Sequence, residues 1–331
     1  MLKQQAKPLT KQVPIDSGFG PRTTAQEVLG NQNLKGKIAI ITGGYSGLGL
    51  EATRVLAEAG ATVIVPARTR EKAEAALKDL PNIELETLDL SDPQSINAFT
   101  QRFLASSRPL HILINAAGIM AVPLKRDSRG FESHFATNHL GHFQLTAGLW
   151  PALKQANGAR VISMSSRGHR MSGIDFADPN YHHRDYDKWM AYGQSKTANA
   201  LFAVELDKRG KADNVRAFAV HPGTIVTDLA RHLSDEELKA MGALDERGQR
   251  RIMEYNHETK TIPEGAATIV WCAISEQLKG KGGVYCENVD IAEINPVNSP
   301  TPGVRPWAMD LKDAERLWTL SEELTGTTFD I

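Results

Sequence analysis

Tyr192 and Lys196 stand four residues apart in the run Tyr192-Gly193-Gln194-Ser195-Lys196, inside a stretch with helical periodicity. Residues at i and i+4 share one helix face, so a phenol and an ammonium project to the same side. A neighbouring cation favours phenolate, which is expected to bring this tyrosine below its usual range and let it trade a proton with a substrate oxygen near neutral pH. Upstream, Ser165 and Ser166 follow an apolar run at 160–164 that reads as a strand. A hydroxyl at that edge is suited to hold a carbonyl as it gains negative charge. Asn138, in Thr137-Asn138-His139-Leu140-Gly141-His142, lies on a long helical stretch; taken alone it also reads as an ordinary buried amide at a helix kink.

A second group of residues suits phosphate. Thr42-Gly43-Gly44-Tyr45-Ser46-Gly47-Leu48-Gly49 follows the first predicted strand and opens a helix. Such a turn presents backbone N–H groups and the positive end of a helix dipole to a pyrophosphate. Gly43 permits the turn, Gly47 close approach and Gly49 helix-on-strand packing, with Tyr45, Ser46 and Leu48 beside them. The spacing is G-x-x-x-G-x-G rather than the common dinucleotide fingerprint, and its weight comes from lying between a strand and a helix. The second strand runs into Pro66-Ala67-Arg68-Thr69, where an NAD site usually carries an acid. Arg68 instead offers a guanidinium to a 2′-phosphate, so NADP(H) is expected in preference to NAD(H); the plain alternative is that Arg68 and Arg70 are solvated at a helix start. Asp89, before Leu90, is placed to accept from an adenine amino group, or else Asp89 or Ser91 caps the next helix. Asn115-Ala116-Ala117-Gly118 ends the fourth strand with small residues that let backbone pass close to a ring or ribose.

These groups need a scaffold that brings strand ends together. Apolar runs at 38–42, 62–66, 83–88, 111–115, 160–164, 215–220 and 283–286 alternate with helical patterns at 48–59, 70–80, 93–106, 131–155, 189–209 and 263–275. Near-continuous apolar strands imply a sheet covered on both faces. The expectation is a single α/β domain over 37–290, a doubly wound, parallel, seven-stranded Rossmann-like sheet with ligands outside the carboxyl ends of its strands. Residues 1–36 form an extension with a short helix at 24–29, expected to wrap the surface. The segments 167–188 and 228–262 leave the catalytic edge and are candidates to cover a substrate. Residues 291–331 form a tail whose amphipathic part, 309–323, is expected to dock as a helix.

The chain has 331 residues, 41% apolar and 23% charged, with a formal net charge of −1, enough for a sizeable core and without a block of like charge. That balance argues against nucleic acid or anionic lipid as partners. The polar start of the chain carries no membrane anchor or signal, and Cys272 and Cys286 match no ligand or redox spacing, so a reduced, cytoplasmic protein is expected, a disulfide between the two being the alternative. No metal is expected from His169, His182 and His183 with Asp175, Asp178 and Asp185, which read as a solvated loop. Trp150, Trp189, Met190 and Trp271 are assigned to core or interface.

TGGYSGLG, NAAG, TNHLGHF, the serine pair, YGQSK and HPGTIVT, in this order between residues 37 and 286, resemble the short-chain dehydrogenase/reductase family. The resemblance implies a tetrad of Asn138, Ser166, Tyr192 and Lys196, with Ser165 the alternative serine. It places Pro222, Gly223, Thr224 and Thr227 against the nicotinamide. It also implies transfer of the 4-pro-S hydride of NADPH to a carbonyl carbon, with Tyr192 donating the proton, Lys196 binding the ribose and Asn138 supporting a relay water. PART, the long spacer before Tyr192 and YGQSKTANALFA are similar to the retinol dehydrogenase and WW-domain oxidoreductase branch, which implies a lipophilic alcohol or carbonyl as small-molecule substrate and a soluble bacterial-type relative. Pairing through 131–155 and 189–209 into a homodimer or homotetramer is implied as well, with the tail placed to block it. Two rivals stand beside this reading: an extended-type epimerase or dehydratase, whose usual G-x-x-G-x-x-G turn is missing, and an NADP-sensing binding protein without turnover, which has no need of Tyr192 and Ser166 together.

Overall fold

Ile38–Thr42 forms the first strand, β1, and its last four residues are buried because helices cover both sides. Ile41 packs with Val63, Val65 and Ile114 on one face, while Ile40 packs with Ile64 and Leu113 on the other, as the two-residue strand period requires. The chain is a computed structural model that describes residues 10–296 and 302–331. In order it forms α1 (Ala25–Leu29), β1, α2 (Gly47–Glu58), β2 (Thr62–Ala67), α3 (Arg70–Leu77), β3 (Ile83–Thr87), α4 (Pro93–Ala105), β4 (Ile112–Asn115), α5 (Gly141–Gly148), α6 (Trp150–Gln155), β5 (Arg160–Met164), α7 (Lys188–Gly210), β6 (Arg216–Val220), α8 (Asp235–Ala240), α9 (Ile262–Ile274), β7 (Val284–Glu287), β8 (Asp290–Ile291) and α10 (Leu311–Thr325).

The sheet order is β3-β2-β1-β4-β5-β6-β7-β8, a single-domain Rossmann-like arrangement with helices on both sides. Strand order reverses between β1 and β4, where Thr42 pairs with Asn115, and a ligand crevice opens outside such a switch point. The sheet has eight strands where seven were expected. The extra one, β8, runs antiparallel to β7 through Cys286↔Ile291 and Glu287↔Asp290, and it carries the sheet one residue beyond the expected limit at 290.

The stretch 131–155 is three pieces instead of one helix. A π-helical turn, Phe135–Leu140, leads into α5, and α6 begins again at Trp150 with Pro151 in its first turn. Proline has no N–H to continue the ladder, so the break falls just before it. The N-terminal extension seals the β7–β8 edge: the Gln12 amide donates to Tyr285 O and Ala292 O at 2.8 and 2.7 Å, and the Ile15 and Ser17 amides donate to Asp290. The first nine residues of that extension, and 297–301 of the tail, lie outside the described residues. Cys272 and Cys286 are buried free thiols. Among the described residues no helix is long and apolar enough to cross a membrane, and no three His, Cys, Asp or Glu side chains group as metal ligands.

Candidate active site

A cavity of about 1380 Å³ opens at the carboxyl ends of β1, β2, β4, β5 and β6. At one end lies the glycine turn. Gly43 takes a left-handed φ of +69°, and a Cβ on Gly49 would collide with the Gly43 carbonyl, so a side chain is excluded where α2 meets β1. Ser46 lends no side-chain hydrogen bond to the start of α2, which leaves the first-turn N–H groups to face the cleft beside Tyr45, Gly47 and Leu48. These features fit a dinucleotide pyrophosphate. Arg68 and Lys72 line the same end, Lys72 in an exposed ion pair with Asp228 at 3.2 Å. Asp89 and Leu90 line it too. Oδ1 of Asp89 accepts from Ser91 N and Oγ at 2.9 and 2.6 Å, and it is Asp92, not Asp89 or Ser91, that caps α4.

Ala116, Ala117 and Gly118 lie along the floor, but Asn115 does not reach the cleft. Its side chain faces α5, where Nδ2 donates to Thr146 Oγ1 at 3.2 Å. The floor loop is held by the first residue of the glycine-turn motif, to which sequence reading assigned no role of its own: Thr42 Oγ1 accepts from the Ala116 and Ala117 amides at 2.9 and 3.0 Å. Its sequence signal is a hydroxyl at the last position of an apolar strand, at the head of the TGGYSGLG motif.

The chemical end is built on α7. Asp187 caps this helix by accepting from the Trp189 and Met190 amides at 2.8 Å each, which fixes where the face carrying Tyr192 and Lys196 begins. The Tyr192 and Ser166 side chains face the same cavity, and the serine favours the ionised phenol. Ser166 itself accepts from Gly168 N at 3.0 Å, whereas Ser165 donates to Lys196 O at 2.8 Å and turns away. Lys196 Nζ donates to Met164 O at 2.8 Å and lies 5.6 Å from the centre of the Tyr192 ring. Burial pushes Tyr192 up to about 12, partly offset by Ser166, and pushes Lys196 down to about 7. The expected lowering of the tyrosine is therefore not what these groups give among themselves: desolvation of the phenol outweighs the neighbouring lysine, whose charged form burial also disfavours.

Asn138 stands behind this cluster without lining the cavity. In the π-helical turn its Oδ1 accepts from Ile119 N at 2.9 Å, and Nδ2 donates to Ile119 O and Ser195 Oγ at 3.0 and 2.9 Å. It thereby ties the floor loop to α7, the buried-amide alternative of the sequence reading. Pro222, Gly223, Thr224 and Thr227 face the cavity from the loop after β6. Above them, residues 228–243 cover the opening. Leu233, Leu238 and Ala243 are buried with Met120, Ala121 and Tyr192 in a small core of their own. Glu237 on α8 clasps this cover to α7, accepting from Trp189 Nε1 at 2.8 Å and pairing with Lys188 at 2.7 Å. Trp189, assigned to core or interface, packs against this small core and also lines the cleft, while Trp150 and Trp271 are fully buried and Met190 is exposed. Of 167–188 only 167–171 approaches the cavity; further on, Asp178 accepts the His182 and His183 amides and folds the loop on itself.

The family profile described as short chain dehydrogenase matches residues 37–238. The chain belongs to the short-chain dehydrogenase/reductase family. Its relatives place it in the retinol dehydrogenase-like branch of that family. A "Probable oxidoreductase" of Streptomyces antibioticus is 41% identical over 86% of this chain and 96% of its own. Human "Retinol dehydrogenase 12" is 38% identical over 91% of this chain and 90% of its own. Among solved structures, an uncharacterized protein from Mycobacterium Paratuberculosis superposes with a TM-score of 0.70 at 34% identity, covering 91% of this chain and 97% of that one. The Pseudomonas aeruginosa RhlG/NADP active-site complex gives 0.58 at 25% identity over 76% of this chain and 94% of that one. This short-chain dehydrogenase/reductase is accordingly an oxidoreductase acting on CH–OH donors with a nicotinamide cofactor. Its cleft places the glycine turn and the Ser166, Tyr192 and Lys196 group on one continuous surface.

Proposed function

We propose that the protein interconverts a lipophilic ketone or aldehyde with its alcohol, using NADP(H) in preference to NAD(H). The observation that carries this reading is the convergence of Tyr192, Ser166 and Lys196 on one wall of a cleft whose far end presents Arg68. The nicotinamide, when bound, supplies or accepts the hydride. Tyr192, protonated at neutral pH, donates its proton to the carbonyl oxygen as that oxygen gains charge. Ser166, on the same wall of the cavity, holds the same oxygen. Lys196 stands beside the phenolate that results and favours it electrostatically. Met120, Val122, Trp189, Leu229, Leu238 and Met241 on the cavity wall support an apolar substrate. Support for NADP(H) comes from Arg68, with Lys72 beside it, where the chain carries no acid after β2.

Fluorescence titration with NADPH and NADH, on wild type and Arg68→Ala, tests the cofactor half. Losing a charged hydrogen bond worth about 1.5–3 kcal/mol should weaken NADPH by tenfold or more and leave NADH unchanged. Equal affinity for both cofactors in the wild type would overturn the preference. Tyr192→Phe tests the chemical half: turnover of lipophilic carbonyls should fall by about 10²- to 10⁴-fold with NADPH binding retained. Unchanged turnover would remove Tyr192 from the reaction.

A further inference from the structure

The ladder between β5 and β6 ends at Met164↔Val220, and Pro222 offers no N–H beyond it. Ser165 N still donates to Val220 O at 2.9 Å. Arg167 N then donates to a side chain, Nδ1 of His221, at 3.1 Å. Ser166 lies between those two bonds, so the backbone that aims its hydroxyl is held from both sides. A ring nitrogen that accepts from an amide carries no proton, which puts the His221 proton on Nε2. Nε2 faces Glu258 Oε1 at 3.1 Å.

Glu258 is where the chain returns from the cover. Its carbonyl accepts from Thr224 N at 2.7 Å, and Lys260 N donates to Thr224 O at 3.0 Å. Gly223, at a φ of +95°, has room for no side chain, because a Cβ would come within 2.8 Å of the Glu258 carbonyl. The Arg167 guanidinium and the Thr224 hydroxyl each lie 3.4 Å from the same carboxylate oxygen. Burial opposes the charge of Glu258, yet the hydrogen bond from His221 and the nearby Arg167 and Arg170 guanidiniums hold its carboxyl below the ordinary range. A charged, partly buried contact thus joins the returning chain to the loop that carries Ser166.

We propose that His221 and Glu258 are a positioning pair that links the seating of the 228–243 cover to the aim of the Ser166 hydroxyl. The inference rests on the role of Ser166 in carbonyl reduction proposed above. His221 lines the cavity and Glu258 does not; both act through the amide of Arg167 and the backbone of Thr224. Seating of the cover then assembles the carbonyl-holding hydroxyl at the moment a substrate is enclosed.

Hydrogen–deuterium exchange of the 164–169 segment, alongside steady-state carbonyl reduction, tests the pair in the full-length protein. Glu258→Gln keeps an acceptor for His221 Nε2 and should stay within about threefold of wild type in kcat, with protected exchange. Glu258→Ala should lower kcat by about 10- to 100-fold, leave substrate KM and NADPH affinity nearly unchanged, and speed exchange at Arg167. His221→Asn keeps an acceptor near Arg167 but cannot reach Glu258, and should match Glu258→Ala in kcat. Unchanged kcat and exchange in Glu258→Ala would overturn the proposal. So would an equal loss in Glu258→Gln, or a joint fall of kcat, substrate affinity and thermal midpoint. If the wild type reduced no carbonyl, the proposed function would fail while the exchange arm still decided whether the pair holds the serine loop.

Discussion

Lys196 shows how a functional position can stand against stability. Burial lowers it from an ordinary 10.5 to about 7, and Met164 O is its hydrogen-bond acceptor. Between those two pH values the unfolded chain binds more protons at this position than the folded one, so its contribution makes folding more favourable as pH rises from 7 to 10.5. Below pH 7 the penalty is fully present. Lys196→Met should therefore abolish turnover yet stabilise the fold at pH 6 by about a few kcal/mol, seen as a higher thermal midpoint, and the gain should fade by pH 10. Melting curves at pH 6, 8 and 10 check this; a variant less stable at every pH would show that the Met164 bond outweighs desolvation. Tyr192, raised by burial, titrates above this window and is common to both proteins. At this scale the sequence was legible as to which residue types meet, since i, i+4 spacing alone puts Tyr192 and Lys196 on one face. It misjudged the sign of the tyrosine shift, because spacing carries no information about burial.

Among the elements, α8 is the piece whose behaviour matters most for substrate. One carboxylate, Glu237, serves both Trp189 Nε1 and Lys188, and it also receives the Ser234 amide in the capping box that starts α8. Removing it should loosen the cover by about 1–2 kcal/mol. Glu237→Ala is then expected to raise KM for bulky lipophilic carbonyls several-fold and to change kcat less, measured by steady-state kinetics across a series of substrate sizes. A fall in kcat alone would mean that α8 does not close over the substrate. Elements with strong periodicity, such as β1, α4 and α7, were readable in the sequence. The hairpin to β8 was not: its turn residues are Asn288 and Val289, both at positive φ, and a β-branched residue is the last expected there. Val289 N donates to Thr268 Oγ1 on α9, a tertiary contact that helps hold the turn.

In the whole molecule the tail decides which face of α7 is free. α10 lays Ala314 and Leu317 against Phe135, Leu140, Ala198 and Leu201, and Trp318 stacks on Phe202 at 6.0 Å. His139 and Ser321 meet at 2.7 Å beneath it. These are the helices through which pairing of two copies was expected, and one chain now covers them with its own tail. Light scattering at micromolar concentration should give the single-chain mass of 36.2 kDa. Truncation before α10 should expose the apolar face and drive self-association. A stable dimer of the intact chain would require another interface or a displaced tail.

The sequence by itself determined the alternation of strands and helices, the glycine turn and the order of the motifs, because these depend on local period and on residues that only certain backbone shapes accept. Only the tertiary structure decided that Asn115 turns away, that Thr42 holds the floor loop, that Trp189 joins the cleft and that Glu258 reaches His221. Those choices depend on which side of a strand end faces the cavity and on contacts between segments far apart in the chain. Neither leaves a periodic trace along it.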